Sequence, residues 1–288
     1  MEPEYRNIAP VRPAAAYIGG KKRLAETICR RFEAVPHTTY AEPFVGMGGV
    51  FFRRRRVPAC EVINDVSRDV ATLFRILQRH YPQFMETLKF QITSRREFER
   101  LAATDPGTLT DLERAARFLY LQRLAFGGKV RGRNFGVDHG GPARFDVTKL
   151  GPLLEAIHER LTGVVIECLP WPDFIDRYDA PGTLFYLDPP YWGSEDDYGA
   201  GVFVRDDFGR LAERLASIKG LFMLSVNDVP ATRTAFAGFM IDKVRTKYSI
   251  AGGAPLDVSE ILVMGPSTDS ARFPKPRDLF DAQGHSFD

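Results

Sequence analysis

The chain has 288 residues, 44% of them hydrophobic and 26% charged, the balance of a globular protein with one large or two ordinary domains. That composition excludes a disordered, collagen-like or purely coiled-coil chain, and no apolar run approaches the ~18–20 residues of a membrane span. Net charge is only +2, from 39 basic and 37 acidic residues, so charge alone identifies no partner. The opening segment from Met1 to Pro13 has no apolar core, so no secretory signal is expected. Cys29, Cys60 and Cys168 are odd in number and widely spaced. They offer neither a disulfide framework nor a metal site, and a reducing cytosol fits them best.

In chain order, the spacing of Leu24, Ile28 and Phe32 predicts a helix over 21–34. A strand over 38–44 runs into the glycine-rich turn Val45-Gly46-Met47-Gly48-Gly49. A second strand, Cys60 to Asn64, precedes a helix with Val66, Val70, Leu73, Phe74 and Leu77 on one face. Strand–helix alternation of this kind marks a parallel α/β protein. The middle changes character. Ser94 to Glu97 and Thr110 to Glu113 both match the capping-box pattern and predict two helix starts, with a turn at Asp105-Pro106-Gly107 between them. Residues 78–148 therefore read as a mostly helical insertion. Strands at 164–168, 183–188, 221–226, 241–248 and 258–264 resume the alternation. The last two have no helix between them and suggest an antiparallel hairpin at a sheet edge. The tail from Ser267 reads as loosely held.

Basic residues are unevenly placed. From Arg114 to Val137 there are six (Arg114, Arg117, Arg123, Lys129, Arg131 and Arg133) and no acid. With its glycines and aromatics, this stretch reads as a surface for phosphates. The run Arg53 to Arg56 reads equally well as a solvated face.

The strongest chemical feature is Thr183-Leu184-Phe185-Tyr186-Leu187-Asp188-Pro189-Pro190-Tyr191. An apolar strand ends in a carboxylate, two prolines and an aromatic, where ligands bind in open parallel sheets. The prolines remove amide donors and fix the backbone. A carboxylate, carbonyl acceptors and a flat ring together suit an exocyclic amino group on a nucleobase. Gly46 and Gly48 form a second feature, a GxG turn where backbone approaches a ligand. A dinucleotide fingerprint would need glycine at position 51, where Phe51 stands. Asp65, about 20 residues after that turn, suits a ribose diol, and equally a helix N-cap.

Together these parts resemble the amino-group DNA methyltransferases of the adenine-N6 class typified by the Dam methylases, and most of all the Dam-like enzymes of prophages. The resemblance spans about residues 15–265. It rests on Tyr17-Ile18-Gly19-Gly20-Lys21, Glu42 to Gly48, Asn64-Asp65, Phe118 to Arg123, Pro172-Asp173-Phe174 and Asp188 to Tyr191, in that order. It implies a Rossmann-like S-adenosylmethionine-dependent methyltransferase sheet, formed by 1–77 and 149–266, with 78–148 as a helical target-recognition insertion. It implies S-adenosylmethionine held by Tyr17, Lys21, Glu42, Pro43, Phe44, Gly46, Gly48, Asp65, Asp173, Phe174 and Asp188. Catalysis would fall to Asp188, Pro189, Pro190 and Tyr191, acting on an adenine flipped out of double-stranded DNA. Arg123, Lys129, Arg131, Arg133 and Asn134 would contact the DNA. No metal and no membrane are expected, and the chain would act as a monomer or weak dimer.

Where the Dam family has a Tyr-Asn-Gly turn, this chain has Phe126-Gly127-Gly128, so the resemblance carries no recognition sequence with it. A cytosine-N4 methyltransferase, a protein-glutamine methyltransferase and a catalytically silent DNA-binding relative are the competing readings. The first two usually carry Ser or Asn in place of Asp188. Residues 193–201 are expected to order over a flipped base, with Tyr198 or Trp192 as the lid.

Overall fold

The computed structural model describes residues 3–21, 24–136, 140–199, 201–248 and 256–266. The tail from Ser267, expected to be loosely held, lies outside them. A short antiparallel pair, β1 (Arg6–Asn7) with β3 (Arg56–Val57), flanks the main sheet. The main sheet contains β2 (Thr39–Glu42), β4 (Cys60–Asn64), β5 (Val165–Glu167), β6 (Thr183–Leu187), β7 (Leu221–Asn227), β8 (Met240–Tyr248) and β9 (Leu256–Gly265). Its order is β5-β4-β2-β6-β7-β9-β8. Strands β5, β4, β2, β6 and β7 pair in parallel, and β9 runs antiparallel between β7 and β8. The expected terminal hairpin therefore exists, but its second strand inserts into the sheet and its first becomes the edge.

Alternation along the strands builds two cores, as the period of two requires. Tyr40, Ile63, Leu184, Tyr186 and Met223 face one layer, with α1 (Ala25–Glu33) and α2 (Arg68–Arg79). Ala41, Val62, Phe185, Leu187 and Phe222 face the other, with α7 (Trp171–Tyr178) and α8 (Asp207–Ala216). A sheet covered on both faces explains why β6 and most of β7 read as unbroken apolar runs. A short helix, α9 (Pro230–Ala235), follows β7.

Between α2 and β5 lie α3 (Tyr81–Leu88), α4 (Arg95–Ala103), α5 (Asp111–Leu124) and α6 (Val147–Leu161). Helices α5 and α6 pack on α2. Phe84, Phe98, Phe118 and Leu150 belong to the same core as Tyr40 and Tyr186, so these helices share their apolar interior with the sheet.

Several local expectations change. Helix α1 begins at Ala25, leaving Lys21 ahead of it, where its carbonyl accepts the Ala25 N–H. Helix α2 begins at Arg68 with Ser67 at the N-cap, so Val66 is outside the helix and 40% exposed. At Thr110 the capping box closes through both arms. At Ser94 it does not, because Gln91 and Arg100 take the Glu97 carboxylate instead. Within the Arg53–Arg56 run, only Arg55 is exposed, and two of the arginines serve the fold. Arg54 is buried, stacks on Tyr40 and pairs at 2.5 Å with Glu61, which also holds Arg160. Arg56 lies over the Tyr5 ring. Among the described residues no helix is long and apolar enough to cross a membrane.

Candidate active site

Parallel strands deliver their carboxyl ends to one edge of the sheet. Strands β2 and β6 are neighbours there, and the order of connections reverses between them, which makes this edge the place for a ligand crevice. A cavity of about 580 Å³ occupies it, a size usual for cofactor sites. Its wall is the N-terminal segment around Tyr17, the turn after β2, Asp65 beyond β4, and Asp188 and Pro190 beyond β6. Asn64 straps this edge together. Its amide donates to the carbonyls of Pro43 and Leu169, and its oxygen accepts the Leu169 N–H. Gly46 has φ +51°, and a Cβ there would come within 3.0 Å of the Tyr17 ring, so glycine lets the turn and the N-terminal segment close together.

Asp188 is the centre of a charged cluster. Its Oδ1 lies 2.5 Å from the Lys21 ammonium and accepts a 3.1 Å hydrogen bond from Ser225. Among the described residues, Oδ2 takes no hydrogen bond, and the side chain keeps 20% exposure toward the cavity. Lys21 is buried, lies 3.8 Å from the Glu260 carboxylate and sits 4.6 Å from the centre of the Tyr191 ring. Burial pushes the Asp188 carboxyl up to about 6, against the opposing pull of Lys21. Glu42, hydrogen-bonded by the Tyr40 hydroxyl at 2.7 Å, is pushed up by burial to about 8. Asp65 is likewise raised by burial to about 6, although it accepts the N–H groups of Gly46 and Ser67 at 2.9 Å. The latter bond means that Asp65 supports the start of α2 from outside, while Ser67 occupies the cap position itself.

The residues expected from sequence divide clearly. Tyr17, Lys21, Glu42, Phe44, Gly46, Asp65, Asp188 and Pro190 line the cavity. Pro43, Gly48, Pro189 and Tyr191 stand in the same turns but outside its lining. Asp173 and Phe174 lie on α7, away from that lining. Asp173 is exposed and Phe174 is fully buried in the second core.

Sequence reasoning missed Ser225 and Glu260. The available signal for Ser225 was a lone polar residue inside the apolar run Leu221 to Val226, whereas Glu260 follows Asp257 and Ser259 in the polar first half of its strand and carries no such signal. Of the two expected lids, Trp192 is pinned by a reciprocal main-chain pair with the Asn227 amide and packs on Phe208. Tyr198 instead lines the cavity, and its hydroxyl donates to the Ile18 carbonyl at 3.0 Å.

The loop from Phe126 to Asn134 is closed at its base by the Ala125–Phe135 bridge and the Phe126 N–H to Asn134 carbonyl bond. Lys129, Arg131 and Asn134 are exposed. Arg123 is half-buried, and its guanidinium donates to the carbonyls of Ala14 and Arg144. Arg133 donates to Gln122 and to the Lys129 carbonyl.

A mostly parallel sheet with one inserted antiparallel strand, a glycine turn after its central strand, and an Asp-Pro-Pro-Tyr end on the neighbouring strand define a Rossmann-like methyltransferase. The family of D12 class N6 adenine-specific DNA methyltransferases matches residues 17–250, and the chain belongs to it. It is a site-specific enzyme that methylates adenine N6 in DNA. The Type II methyltransferase M1.LlaDCHI of Lactococcus lactis subsp. cremoris is 28% identical over 260 residues, covering 83% of this chain and 89% of that protein. The Type II methyltransferase M.CviBI of Paramecium bursaria Chlorella virus NC1A is 22% identical over 242 residues, covering 83% and 91%. The cytosine-N4, protein-glutamine and silent alternatives give way to this membership.

Proposed function

We propose that the cavity holds S-adenosylmethionine, the methyl donor the family implies, and that the target adenine is presented to Asp188, Pro189 and Tyr191. The observation that carries this reading is the state of Asp188, a cavity-lining residue with one oxygen locked by Lys21 and Ser225 and the other taking no hydrogen bond among the described residues. The lining suits the cofactor's chemistry. The Asp188 carboxylate favours a cationic ligand, Glu42 adds a buried carboxyl, Asp65 retains lone pairs for hydroxyls, and Gly46 leaves room beside the turn. Bound there, S-adenosylmethionine supplies a methyl group activated by its positive sulfur.

The remaining chemistry falls to the chain's own side chains. Adenine N6 is a weak nucleophile because its lone pair is delocalised into the ring. The open oxygen of Asp188 and the Pro189 carbonyl accept its two N–H groups. That draws the nitrogen toward a tetrahedral shape and frees the lone pair. Positive charge then grows on N6, and Asp188 stabilises it in a site whose other partners are already fixed. Asp188 is also the nearest base for the proton that N6 must release. Tyr191 offers a flat face for the extruded base, and stacking of about 1–3 kcal/mol offsets part of the cost of flipping.

In this reading the 78–148 insertion is the target-recognition element. Lys129, Arg131 and Asn134 are its DNA contacts, while Arg123 and Arg133 hold the loop in shape. The enzyme works beside its DNA in the reducing cytosol. Incubation with methyl-labelled S-adenosylmethionine and double-stranded DNA, followed by nucleoside analysis, tests the reading. Label in N6-methyladenine that depends on Asp188 is expected. Label in N4-methylcytosine, or none above the Asp188→Ala background, would overturn it.

A further inference from the structure

The cofactor cavity and the recognition loop are joined through one buried amide. Gln122, near the end of α5, is 1% exposed. Its Nε2 donates to the Ala16 carbonyl at 2.8 Å and to the Gly128 carbonyl at 2.6 Å, and its Oε1 accepts from Arg133 at 3.2 Å. Ala16 lines the cavity beside Tyr17, whereas Gly128 and Arg133 belong to the recognition loop. The Gly128 carbonyl also accepts the Ile18 N–H at 3.0 Å, so the two segments share an acceptor. Gly128 has φ +70°, and a Cβ there would come within 3.0 Å of the Ala16 carbonyl carbon and the Tyr17 nitrogen. No side chain fits between loop and cofactor segment. A second thread runs the same way, because exposed Arg131 donates to the Asp196 carbonyl, two residues before Tyr198 at the cavity.

We propose that Gln122 is a positioning residue that couples DNA at the recognition loop to the cofactor in the cavity, so that each tightens the binding of the other. The proposal rests on the functional reading above, which assigns the two sites. Its physical basis is that the Gln122 side chain has three hydrogen-bonding groups engaged, two on the loop and one on the cofactor segment. A shift of the loop toward DNA moves the Gly128 carbonyl. The amide cannot follow without straining its bond to Ala16, because buried polar groups must stay paired. Only loop positions compatible with a well-formed Ala16–Ile18 segment then satisfy it. By linkage the factor is the same in both directions, and factors of about 5–150 are usual for such coupling.

The test is calorimetric titration of S-adenosylhomocysteine into the full-length protein, with and without a duplex carrying the sequence that the wild type methylates. In the wild type the duplex should tighten binding about fivefold or more. In Gln122→Met, an apolar side chain of similar shape, that ratio should fall below about twofold. Gly128→Ala should lower it in the same direction. A purely structural role would weaken both titrations alike and leave the ratio standing, and that result would overturn the proposal. A wild-type ratio near one would overturn it as well. Should Gln122→Met fail to fold, Arg133→Met, which removes one of the two loop contacts and leaves the amide on Ala16 and Gly128, should lower the same ratio. Failure of the functional reading would look different, since the wild type would then bind no S-adenosylhomocysteine or methylate no adenine.

Discussion

The sheet edge proposed for methyl transfer and the loop proposed to read DNA both concentrate charge, and they place it in opposite ways. At the sheet edge Lys21, Glu42 and Glu260 are buried and Asp188 is four-fifths covered, each in a fixed place. In the acid-free stretch from Arg114 onward, most of the basic side chains serve the fold. Arg114 pairs with Asp69, Arg117 holds the carbonyls of Leu101 and Ala102, Arg123 holds Ala14 and Arg144, and Arg133 holds Gln122. Only Lys129 and Arg131 of that set stand exposed. A basic stretch thus reports structural arginines and ligand-facing ones together, and the carbonyls they reach separate the two kinds.

The largest effect expected from this division is at Asp188. Asp188→Ala should lower the methylation rate by 10³-fold or more, the scale of losing a group that stabilises charge in the transition state. DNA and cofactor affinities should stay within about tenfold. A single-turnover rate within tenfold of wild type would remove Asp188 from the chemistry. Next comes Arg123, which contributes to the fold. Arg123→Ala should cost about 2 kcal/mol or more, because it leaves the Ala14 and Arg144 carbonyls without their charged donor. A fall of several degrees in Tm should result, with DNA affinity at low temperature within about threefold. An unchanged Tm with lost DNA affinity would return Arg123 to the DNA surface.

Ser225 offers a finer test of the buried edge. Wild-type turnover should fall tenfold per pH unit below about 6, as Asp188 becomes protonated and loses an acceptor. The Ser225 hydroxyl lowers that value, so Ser225→Ala should move the acidic limb to higher pH. It should also slow the plateau about tenfold, the worth of one hydrogen bond to a charged group at ~1.5 kcal/mol. A slower enzyme with an unmoved limb would make Ser225 merely a packing residue. The smallest effect belongs to Lys129, a point charge in solvent. Lys129→Ala should weaken binding to all sequences alike and reduce the log–log salt slope by about one, as read by titrations at several salt concentrations.

The same contrast explains what the sequence made legible. Strand ends were clear because an apolar run followed by Asp188-Pro189-Pro190 or by Gly46-Met47-Gly48 has few other meanings, and the parallel sheet then brings them to one edge. Cys60 to Asn64 is even bounded as expected. Ser225 and Glu260 were hidden because their partners, Asp188 and Lys21, come from other parts of the chain, 37 residues away for Ser225 and Asp188. The placement of Asp173 and Phe174 depends on how α7 packs, which no local pattern encodes. The roles of Arg123 and Arg133 depend on carbonyls brought near by the fold of the loop and the N-terminal segment. Burial of Arg54 followed from Glu61, seven residues on and across a turn.

The most direct test compares Asp188→Asn with Arg131→Ala in single-turnover methylation of one cognate duplex and of duplexes changed at one base pair. If buried charge performs the chemistry and exposed charge reads the DNA, Asp188→Asn slows every duplex by a similar large factor and preserves the ratios between them. Arg131→Ala keeps the cognate rate within about tenfold but shrinks discrimination at one base position by 1–3 kcal/mol, roughly 5–150-fold. Discrimination lost in Asp188→Asn, or every duplex slowed alike by Arg131→Ala with its ratios intact, would contradict that division of labour.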